Sequence, residues 1–227
     1  KANVVIVNSL EFKRKMLKYF NLKTICIYNP LNKKQIIGLS KQKSKKIFYK
    51  KNSLKIINIG RIVDQKNQII LLKALNKIKK EINFEEVIMG RGILKNKLNN
   101  YINENKLNKF IKIINYQANP FSYLIQSDIF ILSSKFEGLP NVLLEALALN
   151  KFIISSNCPT GPKEILLKGK GGLLFKNEDF KDLADKILFY KNKKIKCKKM
   201  LKTSVNSLER FDENKNLDKY FKLIKSF

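Results

Sequence analysis

Hydrophobic and polar positions alternate along most of the chain in short apolar runs followed by longer amphipathic stretches. Asn3–Asn8 reads as a strand, Leu10–Phe20 as a helix and Thr24–Tyr28 as a strand, which Asn29-Pro30 stops. Residues 33–52 are Lys-rich, have little apolar periodicity, and read as a linker with a short helix. A more regular pattern follows. Lys55–Ile59, Phe84–Met89, Phe110–Ile114, Asp128–Leu132, Phe152–Ser155 and Gly172–Phe175 are strand-like. Helix-like stretches separate them, at Asn67–Ile82, Ile93–Asn105, a short one opened by Asn119-Pro120, Pro140–Asn150 and Pro162–Leu167. The helix at 67–82 carries Ile70, Leu71, Ala74, Leu75, Ile78 and Ile82 at helical spacing. Asp179–Tyr190 follows the last strand, and two Lys-rich helices, Ile195–Arg210 and Glu213–Ser226, close the chain. Apolar strands alternating with helices predict an α/β, Rossmann-like parallel sheet covered on both faces.

Length and composition refine this reading. A chain of 227 residues, 44% of them apolar, suffices for one full domain with appendages. The first residue is Lys and the first strand-like run starts almost at once, so the chain reads as a piece of something longer. No His is present, which excludes His-based triads and His metal ligands. Three Cys (26, 158, 197) lie far apart with neither metal spacing nor a disulfide framework, as in a reducing compartment. No apolar run approaches membrane-spanning length. The net charge of +29 comes from Lys spread over nearly every helix face, a compositional bias like that of an AT-rich genome. A nucleic-acid site normally shows a clustered basic face instead. Attraction to an anionic membrane surface remains compatible with this charge.

Against that background the scarce residues stand out. Of only nine Gly, Gly60, Gly90, Gly92, Gly138 and Gly161 follow strand ends. That is the edge where open α/β sheets bind ligands, although tight strand-to-helix turns also want Gly. Two of the four Arg follow such glycines directly, as Gly60-Arg61 and Gly90-Arg91. A guanidinium fork holds two phosphate oxygens at once, so an Arg there suggests phosphate. Lys66 could add a second charge or simply be solvated. The segment Phe136-Glu137-Gly138-Leu139-Pro140-Asn141 leads into a helix that is apolar nearly all round, with Glu145 its only charge. Glu137 beside the first helical turn either complements the helix dipole or meets a ligand there. Glu145 is either half of a structural ion pair or a ligand group.

At these residues the chain resembles retaining glycosyltransferases of the GT-B fold, in the large family of bacterial lipopolysaccharide, capsule and mannosyl transferases (group 1). The family signature is two glutamates separated by seven residues, here Glu137 and Glu145. Gly60-Arg61 with Lys66, Gly90-x-Gly92 with Leu98, Cys158-Pro159-Thr160-Gly161-Pro162-Lys163-Glu164-Ile165 and the crossing Ile27-Tyr28-Asn29-Pro30 agree with it in order. The resemblance implies a division into a remnant of the N-terminal acceptor domain at 1–32, a linker at 33–53, a nucleotide-sugar-binding domain at 54–194, and helices at 195–227 that cross back.

It also implies roles. Arg61 and Lys66 would hold the donor diphosphate and neutralise the leaving group, with backbone of Gly138 and Leu139 approaching phosphate or sugar. Glu145 would bind ribose, while Glu137, Gly138, Leu139 and Asn141 would face the transferred sugar. Tyr116 and Gln117 would lie near the base. Asn115 stands where the family often has Gly; Asn tolerates left-handed backbone. No metal or other cofactor is implied. The expected partners are a nucleotide-sugar donor (UDP-linked), a glycan or polyprenyl-linked acceptor, the missing N-terminal domain and an anionic membrane surface, not nucleic acid. The expected place is the cytoplasm or the inner face of the plasma membrane. Without most of the acceptor domain, the piece alone is expected to be inactive. A basic α/β nucleic-acid-binding module is the alternative, and a phosphorylase is disfavoured because no pyridoxal lysine can be identified.

Overall fold

The computed structural model describes residues 3–226. Two parallel sheets are present. The smaller pairs β1 (Ile6–Val7) with β2 (Ile25–Cys26) around helix α1 (Leu10–Phe20). The larger contains β3 (Leu54–Ile59), β4 (Phe84–Met89), β5 (Ile111–Ile114), β6 (Ile129–Leu132), β7 (Phe152–Ser156) and β8 (Leu173–Phe175). Its order is β5-β4-β3-β6-β7-β8, every pair parallel. The expected Rossmann-like fold is therefore the fold found.

The helices are α2 (Lys33–Ser40), α3 (Gln68–Ile78), α4 (Lys95–Glu104), α5 (Phe121–Leu124), α6 (Asn141–Ala148), α7 (Pro162–Ile165), α8 (Phe180–Asn192), α9 (Lys194–Asn206) and α10 (Glu213–Ile224). A 3-10 turn at Ser207–Phe211 separates the last two, so the helix expected to run to Arg210 stops sooner. The helix expected to open at Pro120 starts one residue later. The Asn119 carboxamide oxygen accepts from the Phe121 N–H, and Pro120 already has helical φ and ψ.

Side-chain alternation along each strand builds one core on each face of the sheet. Phe84 and Ile88 of β4 join Leu71, Leu75 and Leu98 on one side; Val87 and Met89 join Phe130, Leu143 and Leu147 on the other. Each such side chain contributes roughly 1.5–3 kcal/mol on burial. Glu86 breaks the apolar pattern. It is 1% exposed, and neither carboxylate oxygen has a hydrogen-bond partner. Burial holds its carboxyl well above the usual carboxylate range.

The stretch after α2, expected as a linker, is packed down. Ile47 and Phe48 are buried, and the Glu85 carboxylate accepts from the N–H groups of Tyr49 and Lys50. Gln126 secures the same strap, accepting from Ile47 N–H and donating to the Lys45 carbonyl. Asn takes left-handed positions that other chains give to Gly, at Asn21, Asn52, Asn67 and Asn150.

The strand order reverses direction between β3 and β6, the point at which open α/β sheets form a ligand crevice. Pairing of these strands ends at Ile57↔Phe130. Beyond it the buried Asn58 side chain donates to the Ile131 carbonyl at 2.8 Å, in place of a backbone bond. The strands part there, and the loops that follow them frame the site.

Candidate functional site

Two loops meet at the carboxyl ends of β3 and β6. Residues 60–67 leave β3 and residues 133–140 leave β6. Gln65 carbonyl accepts from Lys135 N–H at 2.8 Å, Gln65 Nε2 donates to Phe136 carbonyl at 3.0 Å, and Ser133 Oγ donates to Lys66 carbonyl at 2.8 Å. This zipper brings Lys66 and Glu137 together, with Lys66 Nζ 2.6 Å from Glu137 Oε1. Their side chains are 18% and 8% exposed, so Lys66 is no ordinary solvated lysine. Ser134 Oγ donates to the same carboxylate oxygen at 2.6 Å.

Arg61 lies at the start of the first loop and is exposed. It touches neither Lys66 nor Glu137; its guanidinium donates to Gln65 Oε1 at 3.2 Å. Its carbonyl is held from below by Gln68 Nε2 at 2.9 Å. The backbone around it admits no side chain at Gly90: a Cβ there would stand 1.9 Å from the Gly60 carbonyl oxygen. Gly92 is similarly tight, 2.1 Å from the Ile62 carbonyl oxygen. These two glycines thus let the β3 and β4 loops lie against one another.

The glutamate loop is held from its other side by the turn after β7. Glu137 N–H donates to the Pro159 carbonyl at 2.7 Å, and Thr160 N–H and Oγ1 both donate back to the Glu137 carbonyl, at 2.9 and 2.8 Å. Gly161, at φ +86, would place a Cβ 2.2 Å from the Gly138 carbonyl oxygen. These contacts leave the N–H groups of Gly138 and Leu139 without an acceptor among the described residues. Together with the cation of Lys66 and the start of α6 they are suited to an anion.

Glu145 does not join the Lys66–Glu137 pair. It sits one turn along α6 on the face of Asn141, and both line a cleft of about 290 Å³ with Pro30, Gln35 and Leu39. Among the described residues it makes no ion pair, and burial pushes its pKa up from the ordinary carboxylate value. Asn141 Oδ1 accepts from Asn29 Nδ2 at 2.7 Å, which ties α6 to the crossing segment.

Tyr116 and Gln117 lie beyond β5. Tyr116 is 61% exposed, and the Arg91 guanidinium stands 5.5 Å from its ring centroid. Gln117 accepts from the Tyr123 hydroxyl at 3.3 Å. Asn115 needs no left-handed geometry, since its φ is not positive; its Oδ1 accepts from Lys95 Nζ at 2.8 Å.

Sequence reasoning missed Ser134 and Gln65, and it gave Asn29 and Thr160 no side-chain role. Asn29 and Thr160 carried a signal, their places in the quoted crossing segment and in the segment after β7.

With this geometry in hand, comparison with known proteins is decisive. The model of the family described as glycosyl transferases group 1 matches residues 40–207. The chain belongs to this family. An uncharacterized glycosyltransferase of Methanocaldococcus jannaschii is 37% identical over 171 residues, covering 73% of this chain and 42% of that protein. The Campylobacter jejuni N-acetylgalactosamine-N,N'-diacetylbacillosaminyl-diphospho-undecaprenol 4-alpha-N-acetylgalactosaminyltransferase is 28% identical over 77% of this chain and 47% of its own length. The chain thus spans less than half the length of these relatives. A variant of S. aureus TarM, crystallised with fondaparinux, alpha-GlcNAc-glycerol and UDP, shares the fold. Its TM-score is 0.82 at 23% identity, over 97% of this chain and 43% of that one. Among the described residues, no helix of this glycosyltransferase chain is long and apolar enough to cross a membrane.

Proposed function

We propose that this glycosyltransferase chain is the donor half of a retaining enzyme that takes a hexosyl or N-acetylhexosaminyl group from a UDP-linked sugar. The acceptor is a glycan or polyprenyl-linked saccharide, held mainly by an N-terminal half of the whole enzyme. The observation that carries this reading is the half-buried Lys66–Glu137 pair beside the free N–H groups of Gly138 and Leu139, at the sheet's switch point. The UDP in the TarM complex and the undecaprenol-linked substrate named for the Campylobacter relative support it.

Bond changes are few. The anomeric carbon–phosphate oxygen bond breaks, the acceptor hydroxyl oxygen bonds to the anomeric carbon on the same face, and the hydroxyl proton passes to a donor phosphate oxygen. The demand on the protein is stabilisation of negative charge on the departing diphosphate. Arg61 and Lys66 supply fixed cations, and the loop N–H groups supply dipoles. Glu137, already oriented by Lys66 and Ser134, accepts from hydroxyls of the transferred sugar, with Asn141 nearby. Glu145 accepts from the ribose hydroxyls, and Tyr116 and Gln117 flank the base. No metal enters the scheme, because two cations already oppose the diphosphate. The reaction centre is incomplete without the other half, so this chain alone transfers no sugar. The basic surface would hold the whole enzyme at the inner face of an anionic membrane, where lipid-linked acceptors reside.

Calorimetric titration of this chain with UDP, GDP and ADP tests the donor site. UDP should bind most tightly. Arg61→Ala and Glu145→Ala should each weaken it by about 10- to 100-fold, the worth of a charge-assisted hydrogen bond. Equal binding of all three nucleotides, untouched by either substitution, would mean non-specific attraction to lysines and would refute the proposal. So would no binding at millimolar concentration.

A further inference from the structure

The Glu164 carboxylate, on α7 outside the donor loops, is fully occupied. Its Oε1 accepts from Leu10 N–H at 3.1 Å and from the Tyr28 hydroxyl at 2.5 Å, and its Oε2 accepts from Glu11 N–H at 3.0 Å. With Ser9 Oγ accepting from Phe12 N–H at 3.1 Å, the first three N–H groups of α1 are satisfied. The N-cap is therefore shared between a local serine and a carboxylate more than 150 residues away.

That carboxylate is rigidly connected to the donor loop. Gly161, three residues before it, lies against Gly138, Leu139 and Pro140, and Thr160 holds the Glu137 carbonyl. The segment it grips leads straight to the same place. Asn8, two residues before α1, lies over Gly138: its Nδ2 and Oδ1 are 3.8 and 3.9 Å from where a Gly138 Cβ would stand. Asn8 makes no side-chain hydrogen bond among the described residues, so both its amide groups are available above the loop.

We propose that Glu164 is a positioning residue that fastens the start of α1 to the donor loop, and so sets Asn8 over Gly138 as a further contact for the transferred sugar. The proposal rests on the donor-site reading above and adds a residue from the N-terminal segment to it. Helix α1 has no buried residue of its own, so the Glu164 grip adds to the β1–β2 pairing in fixing where it starts. A carboxylate suits this role because it can only accept, and every group facing it donates. In Glu164→Gln one oxygen becomes an NH2 that opposes a backbone N–H.

The experiment has two arms, both on the full chain. Amide hydrogen exchange, followed by NMR, should show Leu10 and Glu11 exchanging about tenfold or more faster in Glu164→Ala and in Glu164→Gln, with the amides of β3 to β8 unchanged. Rates within twofold of wild type, or faster exchange throughout the sheet, would overturn the latch. In the second arm, UDP and the UDP-linked forms of glucose, galactose, N-acetylglucosamine and N-acetylgalactosamine are titrated into each variant. Asn8→Ala and Glu164→Gln should weaken the preferred UDP-sugar by a common factor of about 3–10 while leaving UDP within twofold. A parallel loss for UDP, or no loss for the UDP-sugar, would overturn Asn8's role. Failure of wild type to bind any nucleotide would sink the donor-site reading itself, and the exchange arm would still decide the latch.

Discussion

Removing the ammonium of Lys66 should be unusually costly for a lysine in so basic a chain. The side chain is only 18% exposed and that of Glu137 only 8%, with 2.6 Å between them. Taking one partner from a buried pair leaves an uncompensated charge, at about 3–5 kcal/mol. Ser134 Oγ still donates to the carboxylate and some water reaches Lys66, so Lys66→Met should lie near the lower bound, about 3 kcal/mol. For a domain of this size each kcal/mol moves Tm by about 2–4 °C, giving a fall of about 6–12 °C. Glu137→Leu in the Lys66→Met background should recover part of the loss, because no charge is then stranded. The double-mutant cycle should return a coupling of about 1–3 kcal/mol. Urea unfolding at neutral pH, with m-values checked for constancy, measures all four corners. The Lys135–Asp64 pair, with Asp64 80% exposed, is the control and should couple weakly. A Lys66–Glu137 coupling no larger than the control's would refute the claim that the donor loops are locked before ligand arrives.

Two other substitutions test separate parts of the structure. Gly161→Ala forces a Cβ to within 2.2 Å of the Gly138 carbonyl oxygen at φ +86, so it should destabilise by more than about 1 kcal/mol and abolish UDP binding; a variant with wild-type stability and affinity would contradict the geometry. For Glu86 the sign is fixed by burial. Its folded pKa is raised, so the folded state keeps a proton that the unfolded state releases, and stability falls as pH rises from the unfolded pKa towards the folded one. The slope approaches about 1.4 kcal/mol per pH unit, and Glu86→Gln should remove that much of the pH dependence of urea unfolding above pH 5; parallel pH profiles for the two proteins would disprove it.

The fold was legible because β3 to β8 are short apolar runs, most of them ended by Gly or Asn and separated by stretches of helical periodicity. Boundaries slipped where a tertiary partner decides them. The last turn expected for α9 tightens to 3-10 geometry at Ser207, and β1 and β2 shrink to two residues each. Among the residues picked out for the site, Gly, Arg and Glu stood out by scarcity in a background of Lys and Asn. Lys66 did not, and only its contact with a carboxylate 71 residues away distinguishes it. Asn29 and Glu164 act through hydrogen bonds to residues more than 100 positions away, and such contacts leave no period or spacing in a sequence.

The meeting of two loops at the β3–β6 divide also bears on how the chain reaches its native state. Neither the Gly60–Asn67 loop nor the Glu137–Asn141 segment can form the site alone, since the strands that deliver them join across about 70 residues of intervening chain. Closing so long a loop has an entropic cost that only the completed central pairing returns. Nucleotide affinity should therefore appear late in refolding and all at once, and a ligand that binds there draws the whole sheet towards the folded side by mass action.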